Sequence, residues 1–178
     1  HGSSAMKLAL SLDPPELYAA NGYTGSKGIH VFVTPLPASI KMLSELASTL
    51  GNPDLSRFYV TVMYSRVAPR KVRTDPRTLF TAVVDRVGPF VGDDGRSYLA
   101  AQLTSPNLMD LHTKWEKLGA VHLFEEFMPR ITLGSGVVTS ELSSAVSMVN
   151  TLLRKKPHVC FLSGETAVDL TNEYSNNN

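Results

Sequence analysis

Cysteine is almost absent from this 178-residue chain. Cys160 stands alone, so no internal disulfide can form, and a reducing, cytoplasmic setting is expected. Long apolar runs are also missing: none approaches the roughly 20 residues that a membrane-spanning helix needs, and no signal-peptide pattern opens the chain. Charge of one sign is not in excess either. Seventeen Lys and Arg against 16 Asp and Glu leave a formal net charge of +1, which supplies no general attraction to duplex DNA or to a membrane surface. There is no HExxH, no cysteine pair and no close His/carboxylate cluster, so neither a metal nor another cofactor is expected. Ser65 and Ser135 match no nucleophile elbow. What is present is a 43% hydrophobic, 19% charged composition, typical of a globular domain long enough to bury an interior.

Residues 6–172 read as a single domain of two lobes. The opening His1-Gly2-Ser3-Ser4-Ala5 reads as a tag remnant, and residues 173–178 as a frayed, Asn-rich tail. Strand and helix signals alternate without a linker. An apolar stretch from Lys7 to Leu12 stops at Pro14-Pro15, and a turn follows near Asn21-Gly22 and Gly25. Ile29 to Leu36 reads as a strand. Pro37 suits a first helical turn, Ile40, Leu43, Ala47 and Leu50 mark its apolar face, and Gly51 stops it. Phe58 to Ser65 is a strand, and Thr78–Val91 with Tyr98–Leu103 form a hairpin around Gly92-Asp93-Asp94-Gly95. Ser105-Pro106 caps a helix carrying Leu108, Leu111, Trp115 and Leu118 and ending near Gly119. Arg130–Leu133 is a strand, and Thr139 or Ser140 caps a last helix. His158–Ser163 and Thr166–Leu170 are the closing strands. The expected class is α+β, with two αβ lobes whose mixed or antiparallel sheets face each other around a central cleft.

Two strands carry a shared pattern: Tyr59-Val60-Thr61-Val62-Met63-Tyr64-Ser65 and Pro129-Arg130-Ile131-Thr132-Leu133-Gly134. They resemble the paired His-x-Thr/Ser motifs of the 2H phosphoesterases, with Tyr59 and Arg130 standing where the histidines belong. The stretch from Gly92 to Gly134 is similar to the same region of phage-type members. It has an Asp-Gly turn, a strand ending Leu-Thr-Ser-Pro, the helix from Leu108 to Gly119, and the run Phe124–Leu133 into the second motif. The Thr-Val-Met-Tyr-Ser string from Thr61 resembles phage members that degrade cyclic-oligonucleotide immune signals. The likeness spans about Gly28 to Leu170.

The resemblance implies a cleft floored by the two motif strands. In such enzymes one histidine deprotonates the nucleophile, the other protonates the leaving oxygen, and the hydroxyls hold phosphate oxygens. Strand alternation turns Tyr59 with Thr61, and Arg130 with Thr132, to one face. A phenol is a poor base at neutral pH and a guanidinium is no base at all, although it binds phosphate through forked donors. Tyr59, Thr61, Arg130 and Thr132 are therefore the expected anion-binding floor. Tyr64 and Phe127 are candidates to stack on a base, and Arg66, Arg70, Lys71 and Arg73 form a cationic loop beside it. Trp115 reads as core. His30, His112, His122 and His158 share no strand position with either threonine and are assigned no chemistry.

The leading expectation is thus a catalytically silent protein that acts by binding, with a host bacterial protein as partner. Two alternatives stay open. One is a sponge for nucleotides or another phosphate-bearing anion. The other is a phosphodiesterase with altered residues, Tyr59 as acid and a distant histidine as base.

Overall fold

A computed structural model describes residues 28–51, 57–70, 74, 77–92, 95–123, 126–135 and 139–170. The stretch Lys7–Leu12, the turn near Asn21, Asp93-Asp94, Lys71, Arg73 and the tail lie outside the described residues. Two antiparallel sheets and three helices make up the described fold, an α+β arrangement without the mixed pairing that the sequence left open.

The three-stranded sheet has β1 (Ile29–Val33) at its centre, flanked by β2 (Val60–Ser65) and β7 (Thr166–Asp169). The four-stranded sheet runs β5–β4–β3–β6, where β3 is Phe80–Val91, β4 Ser97–Thr104, β5 Arg130–Ser135 and β6 His158–Leu162. The edge strands β2 and β5 approach within 8 Å between Cα atoms. One continuous core underlies both sheets. Ile29, Val31, Val60 and Val62 from one sheet join Val84, Val87, Leu99, Ile131 and Leu133 from the other, and Trp115 is fully buried among them. Because that core takes one face of each sheet, the opposite faces are left for other work.

Three helices cover the core side. Helix α1 (Pro37–Thr49) packs on β5 and β6, α2 (Pro106–Lys117) on β2 and β3, and α3 (Ser140–Lys155) on β3. Their ends follow the sequence signals. Pro37 and Pro106 open α1 and α2, where a missing N–H costs nothing. Ser105 accepts the Leu108 N–H at 3.2 Å and donates to the Thr81 carbonyl at 2.7 Å, which ties the start of α2 to β3. Gly119, at φ +106°, ends α2 in the left-handed region. Gly28, just before β1, is required for closeness: a Cβ there would lie 1.8 Å from the Ser65 carbonyl oxygen.

Three strands depart from regular pairing by one residue each. Val31 and Phe32 of β1 face Met63 and Thr61, so Val62 is extra in β2. Val84 and Arg86 of β3 face Leu103 and Gln102, so Asp85 is extra. Leu99 and Ala100 of β4 face Gly134 and Thr132, so Leu133 is extra in β5. A bulge reverses the inward–outward phase of the strand beyond it. Val87 lies beyond the end of β6, whose His158 pairs with Val84, and α3 compensates there: Asn150 accepts the Val87 N–H at 2.7 Å and donates to its carbonyl at 2.9 Å.

A buried polar contact locks α2 to the segment before β7. Glu165, 5% exposed, accepts hydrogen bonds from the Trp115 indole N–H and, at 2.7 Å, from Lys114 Nζ. Replacing Glu165 with Leu strands the indole donor in the core and should lower stability by about 1–3 kcal/mol, read as a lower urea midpoint with an unchanged slope.

Candidate active site

The face of the three-stranded sheet turned away from the main core is built around a buried histidine. On β1, Ile29, Val31 and Val33 enter the core, so His30 and Phe32 turn the other way. The bulge at Val62 sends both Val62 and Met63 inward and leaves Thr61 and Tyr64 on the face of His30. Across the ladder, His30 Nε2 then lies 3.0 Å from Thr61 Oγ1. Three rings enclose the imidazole, with centroids at 5.2 Å for Phe32, 5.3 Å for Tyr64 and 6.0 Å for Tyr59. Tyr59 packs in turn on Phe32 at 5.9 Å. Burial drives the His30 pKa down from 6.5 to about 4, so the ring is neutral at physiological pH. His30 is 4% exposed, whereas Thr61, Tyr59 and Tyr64 are half-buried.

Two further histidines seal the outer edge of β2. His112, on α2, donates from Nδ1 to the Val62 carbonyl at 2.7 Å. His122 accepts the Tyr64 N–H on Nδ1 at 3.4 Å, while Leu123 N–H bonds to the Tyr64 carbonyl at 2.9 Å. The two imidazoles meet edge to face at 4.8 Å, and Phe127 stacks flat on His112 at 4.3 Å. Burial first, and the neighbouring His112 second, lower the His122 pKa to about 4. Phe127 is thereby occupied with a histidine ring rather than open for a base.

The four-stranded sheet contributes cations and small residues. Arg130 is exposed and Thr132 half-buried, both pointing away from Ile131 and Leu133 in the core. The Arg130 guanidinium lies over the Phe90 ring, 4.0 Å from its centroid, and Phe90 stacks on Tyr98 at 5.5 Å. Thr132 sits opposite Ala100, and Ala100 opposite Gly88, so the middle of this face is low.

The structure therefore brings Tyr59, Thr61 and Tyr64 together on one sheet, and Arg130 and Thr132 on the other, with their two strands adjoining. Arg70 is placed elsewhere. Its backbone N–H bonds to the Leu118 carbonyl at 2.8 Å and its guanidinium to the Lys117 carbonyl at 3.2 Å, where a cation complements a helix C-terminus. Arg66 is exposed just beyond β2. His30 is the residue that sequence reasoning set aside: it shares no strand with Thr61 or Thr132, yet pairing of β1 with β2 sets it against Thr61. Its signal was the alternation Ile29-His30-Val31-Phe32-Val33, which gives a histidine and an aromatic ring the non-core face of a central strand. Among the described residues no three His, Cys, Asp or Glu side chains gather as a metal site, and no helix is long and apolar enough to cross a membrane.

Residues 27–160 match the family model described as Anti-CBASS protein Acb1. This chain belongs to that family. The Anti-CBASS protein Acb1 of Vibrio phage KVP40 is 32% identical over 111 residues, which cover 61% of this chain and 72% of the relative. Membership corrects the leading expectation. A family described as anti-CBASS, with a phage relative that bears the same description, contradicts a silent protein that works by binding a host protein. The expectation of silence rests on reading Tyr59 and Arg130 as standing in for histidines. His30 Nε2, 3.0 Å from Thr61 Oγ1, puts an imidazole beside one of the two threonines in that reading.

The two depressed histidines make stability depend on pH. The unfolded chain takes up protons as pH falls below about 6.5, while the native rings stay neutral until about pH 4. Stability should be full above pH 6.5 and decline between pH 6.5 and 4, with His30 contributing a slope of up to about 1.4 kcal/mol per pH unit. Urea unfolding across this range should show the decline, and His30→Leu should flatten it.

Proposed function

We propose that this protein is a phosphodiesterase that cleaves cyclic-oligonucleotide signals with altered catalytic residues on a 2H-phosphoesterase-like frame, acting for a phage in the bacterial cytoplasm. The observation that carries the reading is the His30–Thr61 contact at 3.0 Å. In the tautomer with Nε2 unprotonated, the Thr61 hydroxyl donates to His30 and its oxygen can accept from an attacking hydroxyl. Thr61 is the accessible member of the pair and His30 the buried proton acceptor behind it. A neutral imidazole is what a base must be at pH 7.

The remaining roles follow from chemistry. As the attacking oxygen bonds to phosphorus, its proton passes through the Thr61 hydroxyl to His30. The P–O bond to the leaving oxygen breaks, and the Tyr59 phenol, beside His30 on the same face, gives that oxygen its proton. The Arg130 guanidinium and the Thr132 hydroxyl hold the non-bridging oxygens, and the fixed positive charge offsets the charge that develops on them. Solvent exchange returns a proton from His30 to Tyr59. In this reading proton transfer belongs to the three-stranded sheet, and phosphate binding to the four-stranded one.

Incubation with 2′,5′- and 3′,5′-linked cyclic oligonucleotides should yield linear products. His30→Ala should lower kcat by about 10²–10⁴-fold with the fold intact. Arg130→Ala should weaken substrate binding by about 1.5–3 kcal/mol. Nucleotide that is bound but never altered by the unmodified protein would sink the enzymatic reading.

A further inference from the structure

The bulge at Asp85 does more than lengthen β3. Val84 and Val87 both enter the core, three positions apart, so Arg86, Gly88 and Phe90 fall on the open face. Across that face Arg86 pairs with Gln102, and Gln102 with Arg130. Two arginines thus flank one row of the sheet, about 10 Å apart at their Cα atoms by strand spacing. The next row holds Gly88, Ala100 and Thr132.

Arg86 is not held where it is by a partner of opposite charge. It has no hydrogen-bond or ion-pair partner among the described residues, and the carboxylate next to it, Asp85, accepts the Thr104 hydroxyl instead. What places it is space. A Cβ on Gly88 would lie 3.3 Å from Arg86 Nη2, 3.7 Å from Nε and 3.9 Å from Cζ, so the guanidinium rests flat over a residue without a side chain. Gly88 does not lie at positive φ, so the gap, not the backbone, calls for glycine here. The strand beneath is fixed by the two Asn150–Val87 hydrogen bonds. The result is a forked donor on a stiff floor, facing the same way as Arg130.

We propose that Arg86, laid over Gly88, holds the second, non-reacting phosphodiester of a cyclic oligonucleotide while Arg130 and Thr132 hold the reacting one. This rests on the phosphodiesterase reading of the site. A cyclic oligonucleotide carries at least two phosphodiesters on one closed ring, and two guanidinium groups on one face meet two anionic charges. A linear dinucleoside monophosphate has one phosphodiester and leaves Arg86 without a ligand. Arg86 is thus a positioning and selectivity residue, not a catalytic one.

The test compares a 3′,5′-linked cyclic dinucleotide with the linear dinucleoside monophosphate of the same linkage. Arg86→Gln should raise KM for the cyclic substrate about tenfold, with kcat changed much less, and lower the cyclic-to-linear ratio of kcat/KM by a similar factor. Gly88→Ala should move both values the same way by lifting the guanidinium, and Arg86→Lys should restore part of the loss. Equal losses on both substrates, or no change on either, would overturn the assignment. Calorimetric titration of the cyclic dinucleotide keeps the two readings apart. Tight binding without turnover, weakened about tenfold in Arg86→Gln, upholds the Arg86 site and rejects the enzyme. Equal affinity of the unmodified protein and Arg86→Gln rejects the Arg86 site whatever the activity.

Discussion

Phase, set by single extra residues in β2, β3 and β5, is the constraint on which the open face depends. A regular strand assigns every second side chain to the core. Past Val62 and past Asp85 that rule would have turned Tyr64 and Arg86 inward. At each bulge two successive residues oppose one, and the strand re-enters the pattern with its polar residues outward. Thr132, preceding the Leu133 bulge, holds its place opposite Ala100, while Gly134 is brought opposite Leu99. The hydrophobic interior and the polar surface of the same strands are therefore solved together. Asn150 shows the accompanying cost: where β3 outruns β6, a helix side chain supplies the missing pair of backbone hydrogen bonds.

Electrostatics gives the two sheets different characters. Around His30 the neighbours are rings, and the imidazole is pushed toward its neutral form. On the other sheet the outward groups are guanidinium, hydroxyl and small residues, with Phe90 beneath Arg130 keeping the charge flat against the surface. The first environment holds an imidazole in its unprotonated form, and the second suits an anion. Neither sheet has both properties, so chemistry between them depends on β2 and β5 lying close.

Much of this was legible in the residues. Proline, serine, threonine and glycine at helix ends, and valine- and isoleucine-rich strands, gave the order of elements, and Trp115 declared itself core by its spacing. Tyr59 with Thr61, and Arg130 with Thr132, could be put on common faces by alternation alone. The contacts on which the proposed function rests were not legible, because they lie across ladders. Thr61 reaches His30 only through the register of β2 on β1. Arg130 reaches Phe90 across the intervening strand β4. The alternation Phe80-Ala82-Val84, carried forward, gives the wrong face for everything after Asp85. The three-residue step between Val84 and Val87 was the one local hint of it. Arg70 misled for a different reason: a cation in a run is equally useful to a helix terminus.

The bulges also bear on how this sequence can change length. Asp85 sits between two pairs, Val84 with Leu103 and Arg86 with Gln102, that would stay in step if it were lost. Slack of one residue is therefore stored at that point, beside the surface it serves. Between Arg86 and Phe90 there is none, and dropping a residue there sets one part of the strand against the other. Substitution along this face leaves the register as it is, while shortening is tolerated by the ladder only at the few positions where it already skips.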